Sequence, residues 1–348
     1  MEDALRSVAL PLVRFAAFGA NALLFGLLPV LLLVVRPGLA GLGTRPPGGR
    51  RRLAARLEGF VQAALWGSAA ATVLALTLQA VLVSQFASDG DLSQESLLSV
   101  FETSFGQWYG LRLPLLLGLA VLLSGRVRSA SLAGAGDGRR GPGAGWWAAW
   151  GGLGVLLLAT SSFSGHAAVA NPRLLSLVND VVHLVAGATW FAGIVVLSVA
   201  LPEVWRAGSP EDRLDVMRAT IVRFSNLALV SIGVVLVTGV VNSFLHIGAP
   251  DDLIATSYGR ALGAKLVLFA LILVLGAVNH LVVRRRLERG PADGRDAPRI
   301  FRRTIAAELV VALAIMAVTG LLTGLARTRE DSPPPPPDDA VTSGPPRT

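Results

Sequence analysis

Eight apolar blocks divide this 348-residue chain, at 15 to 35, 60 to 84, 107 to 124, 146 to 164, 177 to 200, 226 to 246, 262 to 283 and 304 to 325. Each is close to the 20 or so residues that carry a helix across a hydrocarbon core of about 30 Å. In hydrocarbon every backbone N–H and C=O must find its partner inside the protein, and a helix achieves this within one segment. The blocks therefore predict an all-α fold, a polytopic membrane helical bundle of about eight transmembrane helices. Only 16% of the residues are charged, against roughly a quarter in soluble domains. The third block is the weakest, being short and interrupted by Arg112 and Pro114; a proline near a helix start is tolerated. The first lacks a small-residue cleavage signal and is too long for a signal peptide, so it reads as a retained span.

Charge between the blocks orients the bundle. Residues 36 to 56 hold six arginines and no acid, whereas 85 to 110 hold Asp89, Asp91, Glu95 and Glu102 and no base. Basic loops stay cytoplasmic, so the first segment is inside and the second outside. The same bias returns after the third, fifth and seventh blocks, which places both termini on the external side. The net charge of +8 is then a topology signal, not a nucleic-acid footprint.

Residues 1 to 326 read as one transmembrane domain. The external segment near 85 to 106 has room for a short amphipathic helix built on Leu92, Leu97, Leu98 and Phe101, and the stretches TRPPGGRRR (44 to 52) and GAGDGRRGPGAG (134 to 145) read as flexible connectors. The Pro-rich acidic tail, 327 to 348, is expected to be disordered.

Polar side chains inside spans cost several kcal/mol unless paired or facing a wet cavity, so each marks a candidate site. His166 follows the fourth block, Asp180 and His183 open the fifth, and His246 closes the sixth, which brings three of the four histidines to the external face. Asp180 and His183 stand at i and i+3 on one helix face, and a carboxylate beside an imidazole fixes its tautomer as in the shell behind a metal-binding histidine. Thr238 and Asn242 lie on the approach to His246; Asn21 and Gln79 occupy the external halves of the first two spans. The fourth histidine, His280, lies at the cytoplasmic end of span seven, and a pairing of Glu308 with His280 or Arg303 suits a structural role. The single lysine, Lys265, either snorkels to the interface or pairs with Asp180.

With no cysteine and only three methionines, metal chemistry rests on imidazole. Three imidazoles with a carboxylate suit copper or zinc over calcium or magnesium. Two other readings stay open: haem b held by two histidines on facing helices, and a proton or solute pathway through Asp180 and His183. No catalytic constellation is visible, and no enzyme activity is expected.

The motifs SGHA (164 to 167), DVVHLVAGATWFAG (180 to 193), RFSNLALVSIGVVLVTG (223 to 239), SYGRALGAKL (257 to 266) and AAELVVALAIMAVTGLLT (306 to 323), in this order, resemble the CopD family of copper resistance membrane proteins. The resemblance runs from about 10 to 326. It implies a bacterial cytoplasmic (inner) membrane protein that moves copper from the periplasmic side into the cytoplasm, often beside a periplasmic CopC-like copper-binding partner or fused to one. No CopC-like β-domain is expected here, so a separate partner, or none, would deliver the metal. His166 of SGHA and His183 of DxxH match motif positions, and His246 fits the histidine after the TG stretch. The scarcity of methionine departs from a thioether relay and points to imidazole-only coordination, either two-coordinate Cu(I) or a Cu(II) capture site.

Overall fold

In a computed structural model, residues 8–40, 48–87, 98–124, 126, 141–164, 172–205, 209–246, 251–289 and 297–323 are described. Eight long helices follow the eight apolar blocks in order: α1 (Leu10–Ala40), α2 (Gly49–Ala87), α3 (Ser104–Leu123), α4 (Ala144–Phe163), α5 (Arg173–Ala200, continued by Leu201–Trp205), α6 (Pro210–His246), α7 (Ser257–Arg289) and α8 (Ala297–Leu322). No strand occurs among the described residues. Seven of the eight are long and apolar enough to cross a membrane. The exception is α4, whose Trp146, Trp147 and Trp150 and four glycines dilute its aliphatic content over 20 residues.

Several helices outrun their apolar blocks. At 39 residues α2 is about 58 Å long at 1.5 Å per residue, well beyond the hydrocarbon core, and its surplus is the arginine-rich end. The connector expected over 44 to 52 is therefore corrected: helix begins at Gly49, and Arg50 donates to the Leu39 carbonyl at 2.6 Å, tying α2 to the end of α1. Likewise α3 begins at Ser104, where the Thr103 hydroxyl caps the Gly106 N–H at 3.0 Å. Pro114 thus lies inside α3 rather than at its start. Of the short external helix, residues 88 to 97 lie outside the described residues; Val100–Glu102 forms a 3-10 turn with Val100 buried and Phe101 exposed. The tail beyond 323 also lies outside them.

The bundle is organised on α1, which packs against α2, α4, α5 and α8. Its approach to α5 is so close that a Cβ on Gly26 would sit 2.1 Å from the Ala188 carbonyl oxygen and 2.7 Å from the Ala192 Cβ. Small residues permit such backbone contact where lipid supplies no hydrophobic drive for association. On the opposite side Trp150 of α4 is fully buried and donates its indole N–H to the Leu24 carbonyl at 2.7 Å. Trp150→Phe keeps most of the ring and removes that bond, and is expected to cost about 1 kcal/mol, read as a small fall in the thermal midpoint of the detergent-solubilised protein.

Helices α1, α5 and α7 each widen into a π-helical stretch near their C-terminal ends, at Leu31–Val35, Val196–Ala200 and Asn279–Arg284. In α1 the stretch follows Pro29, whose missing N–H breaks the regular ladder. The basic-inside orientation puts all three at the cytoplasmic level. The stretch in α7 matters most for the site, because α7 meets α6 there and in the turn beyond, while the outer part of α7 (Ser257–Val278) packs on α8. Helices α6 and α7 therefore diverge towards the external side, with α5 behind them.

Candidate functional site

The site lies on α5 where α6 crosses it. Asn179, Asp180 and His183 occupy the second and third turns of α5, all half-buried. His183 Nδ1 lies 2.8 Å from Thr238 Oγ1. The direction of that bond follows from the threonine: Thr238 is buried, and its single hydroxyl proton goes to the Val234 carbonyl at 2.6 Å, the helical back-bond open to a threonine. Thr238 Oγ1 then accepts, so Nδ1 of His183 carries a proton and, in the neutral imidazole, the lone pair is on Nε2. One turn towards the outside, Asn179 Nδ2 donates to the Thr238 carbonyl at 2.9 Å and to Asn242 Oδ1 at 2.8 Å. Together these bonds lock the His183 ring against α6, with its Cε1 beside Gly239.

Charge is arranged on the other flank. Asp180 of α5 and Lys265 of α7 interact electrostatically, and the field of Lys265 also reaches His183. The lysine thus lies within electrostatic range of Asp180, the carboxylate in one of its two expected roles. At Nδ1 of His183 the orienting group is Thr238, where Asp180 was expected.

The expected histidine triad is only partly in view. His166 lies outside the described residues. His246 ends α6, two turns beyond Thr238 along the same helix, and its backbone alone is described. Helices α4 and α5 pack side by side, as their short connection requires. Among the described residues no group of three or more His, Asp or Glu side chains could hold a metal ion. Asn179 was not anticipated, although it stands at i−4 from His183 and shares its helix face. Thr238 and Asn242, expected to lead to His246, instead serve His183 and Asn179.

Two further polar groups sit in the spans. Arg112 is 1% exposed, donates to Thr160 Oγ1 at 2.8 Å and Ser161 Oγ at 3.0 Å, and lies 3.6 Å over the Tyr109 ring, so the residue that weakened the third block joins α3 to the end of α4. On the cytoplasmic side Glu308 Oε1 accepts from Asn279 Nδ2 at 2.7 Å, while His280 Nδ1 lies 2.7 Å from Ser225 Oγ of α6. The pairing expected for Glu308, with His280 or Arg303, is replaced by one with Asn279.

Residues 218–322 match the family model for copper resistance protein D, and residues 1–172 match that for the copper resistance protein D-like N-terminal domain. The chain belongs to the copper resistance protein D family. The CopD match takes in α6 from residue 218 onward and the whole of α7 and α8, with Thr238, Asn242, His246, Lys265 and Glu308; the N-terminal match takes in α1 to α4 and His166. Helix α5, which carries His183, falls between the two. Among curated relatives, the chain is 34% identical over 177 residues to the copper transport protein CutJ of Bacillus subtilis, covering 51% of this chain and 30% of that protein. It is 28% identical over 177 residues to the copper resistance protein D of Pseudomonas syringae pv. tomato, covering 49% of this chain and 56% of that protein. The chain thus spans less than two thirds of either relative. No solved structure matches. Family and helices together make this a multi-pass membrane protein of the CopD type.

Proposed function

We propose that this protein takes up copper at the external face of the cytoplasmic membrane and passes it inward, with no catalytic step. The observation that carries this reading is the Thr238 bond, which engages His183 through Nδ1 and leaves Nε2 as the nitrogen available to a metal in the neutral ring. A preset lone pair on a partly accessible ring suits a metal ligand, because no proton has to leave when the metal arrives. His166 and His246, expected at the same face, complete an imidazole set of the kind that suits copper. Met217 and Met316 both pack in or against the apolar core, which favours nitrogen over thioether ligands. Copper is the named cargo or resistance target of both relatives. A periplasmic copper-binding protein of the CopC type is the expected donor.

The test is cellular copper content with and without the protein. Expression raises it if the reading is right; unchanged or lowered content overturns it. A finer test addresses the tautomer. Thr238→Val removes the acceptor for His183 Nδ1–H and is expected to weaken copper affinity about tenfold, the lower end of the effect of losing a group that orients a metal ligand, whereas Thr238→Ser keeps it. Titration of the purified protein with a competing copper chelator measures both.

A further inference from the structure

Glu308 is 4% exposed and sits deep in α8, about 8 Å along the helix from Arg303 at 1.5 Å per residue. Among the described residues its hydrogen-bond partner is Asn279, whose Nδ2 donates at 2.7 Å. The other end of that amide, Asn279 Oδ1, accepts from the Thr304 hydroxyl at 2.5 Å. Among the described residues no lysine or arginine forms an ion pair with Glu308. Charged groups on the elements around it lie elsewhere, are engaged or are exposed: Arg14 of α1 and Lys265 of α7 are in the external half, and Arg286 is about two turns beyond Asn279. On α7, Arg284 binds Asn226 and Glu288, and His280 binds Ser225. On α8, Arg302 and Arg303 are exposed. On α1, Arg36 lies over Trp147, and on α5, Asp180 and His183 belong to the external half. A carboxylate at this depth with only uncharged neighbours needs a compensating cation, and carboxylates so placed in membrane bundles serve proton relays.

We propose that Glu308 is a cation-exchange station on the cytoplasmic half of the path, holding a proton while copper is absent and releasing it as copper passes. The inference rests on the copper reading above. The step balances without a co-reactant: the carboxylic O–H breaks, its proton leaves to water on the external side, and the copper cation moving inward compensates the carboxylate until a proton returns from the cytoplasmic side. A purely structural Glu308 needs only an acceptor for Asn279, which glutamine also supplies.

Two measurements on the full-length protein test the proposal. The infrared spectrum at neutral pH is expected to show a carboxylic-acid carbonyl band that disappears in Glu308→Gln; its absence from the unaltered protein overturns the proposal whatever becomes of copper transport. In liposomes enclosing a pH-sensitive dye, copper uptake is expected to drive protons the opposite way, and Glu308→Gln to lose that movement while binding copper at the outer site like the unaltered protein. Proton movement unchanged in Glu308→Gln overturns the proposal, as does loss of outer-site binding, which would make Glu308 a direct metal contact. If the unaltered liposomes take up no copper, the transport reading fails, and the infrared band still decides whether Glu308 holds a proton.

Discussion

His183→Ala is expected to lower copper affinity by about 100-fold or more. Removing a group that merely orients a metal ligand costs 10–100-fold, and His183 is the ligand itself in the proposed site. The substitution leaves the Thr238 back-bond to Val234 and both Asn179 bonds in place, so α5 and α6 keep their contact and the fold survives. Chelator competition on the purified variant, beside a thermal scan, separates lost binding from lost structure. An affinity within about threefold of the unaltered protein, with an unchanged midpoint, removes His183 from the site. His246→Ala in the same assay tests the second expected ligand.

The largest structural effect is expected from Gly26→Val. Even a Cβ at Gly26 falls 2.1 Å from a backbone oxygen of α5, which cannot rotate away as a side chain can. Overfilling a packed interior commonly costs 1–3 kcal/mol through shifted side chains and backbone, and a displaced helix pair belongs at or beyond the top of that range, about 3 kcal/mol. The variant should leave size-exclusion chromatography as aggregate or melt well below the unaltered protein. Gly19→Ala, on the same helix with nothing within 4 Å of the added Cβ, is the matched control and should be tolerated. Equal behaviour of the two variants removes α1–α5 contact as the organising feature of the bundle.

The helices were legible because one physical demand, backbone satisfaction in hydrocarbon, writes them as long apolar blocks. Their ends were less so. Arg50 to Arg52 look like part of a Gly- and Pro-rich connector, yet they continue α2 because a helix leaving the membrane has the Leu39 carbonyl within reach. At the candidate site, the i to i+3 spacing of Asp180 and His183 put both on one helix face, but periodicity alone could not say that Thr238, 55 residues away, lies opposite His183. Arg112 reads locally as a flaw in a span, since its partners Thr160 and Ser161 lie 48 and 49 residues away. The Glu308 pairing failed for a different reason. Asn279 and His280 are adjacent in sequence, and the π-helical stretch sends one side chain to α8 and the other to α6.

The divergence of α6 and α7 has a consequence for the bilayer itself. Two helices clasped at the cytoplasmic end by Ser225 with His280 and Asn226 with Arg284, and apart beyond it, leave a wedge open towards the outer leaflet. Exposed Phe244 and Val267 show how apolar these outer segments are, so the outer leaflet bathes both helices beside the opening.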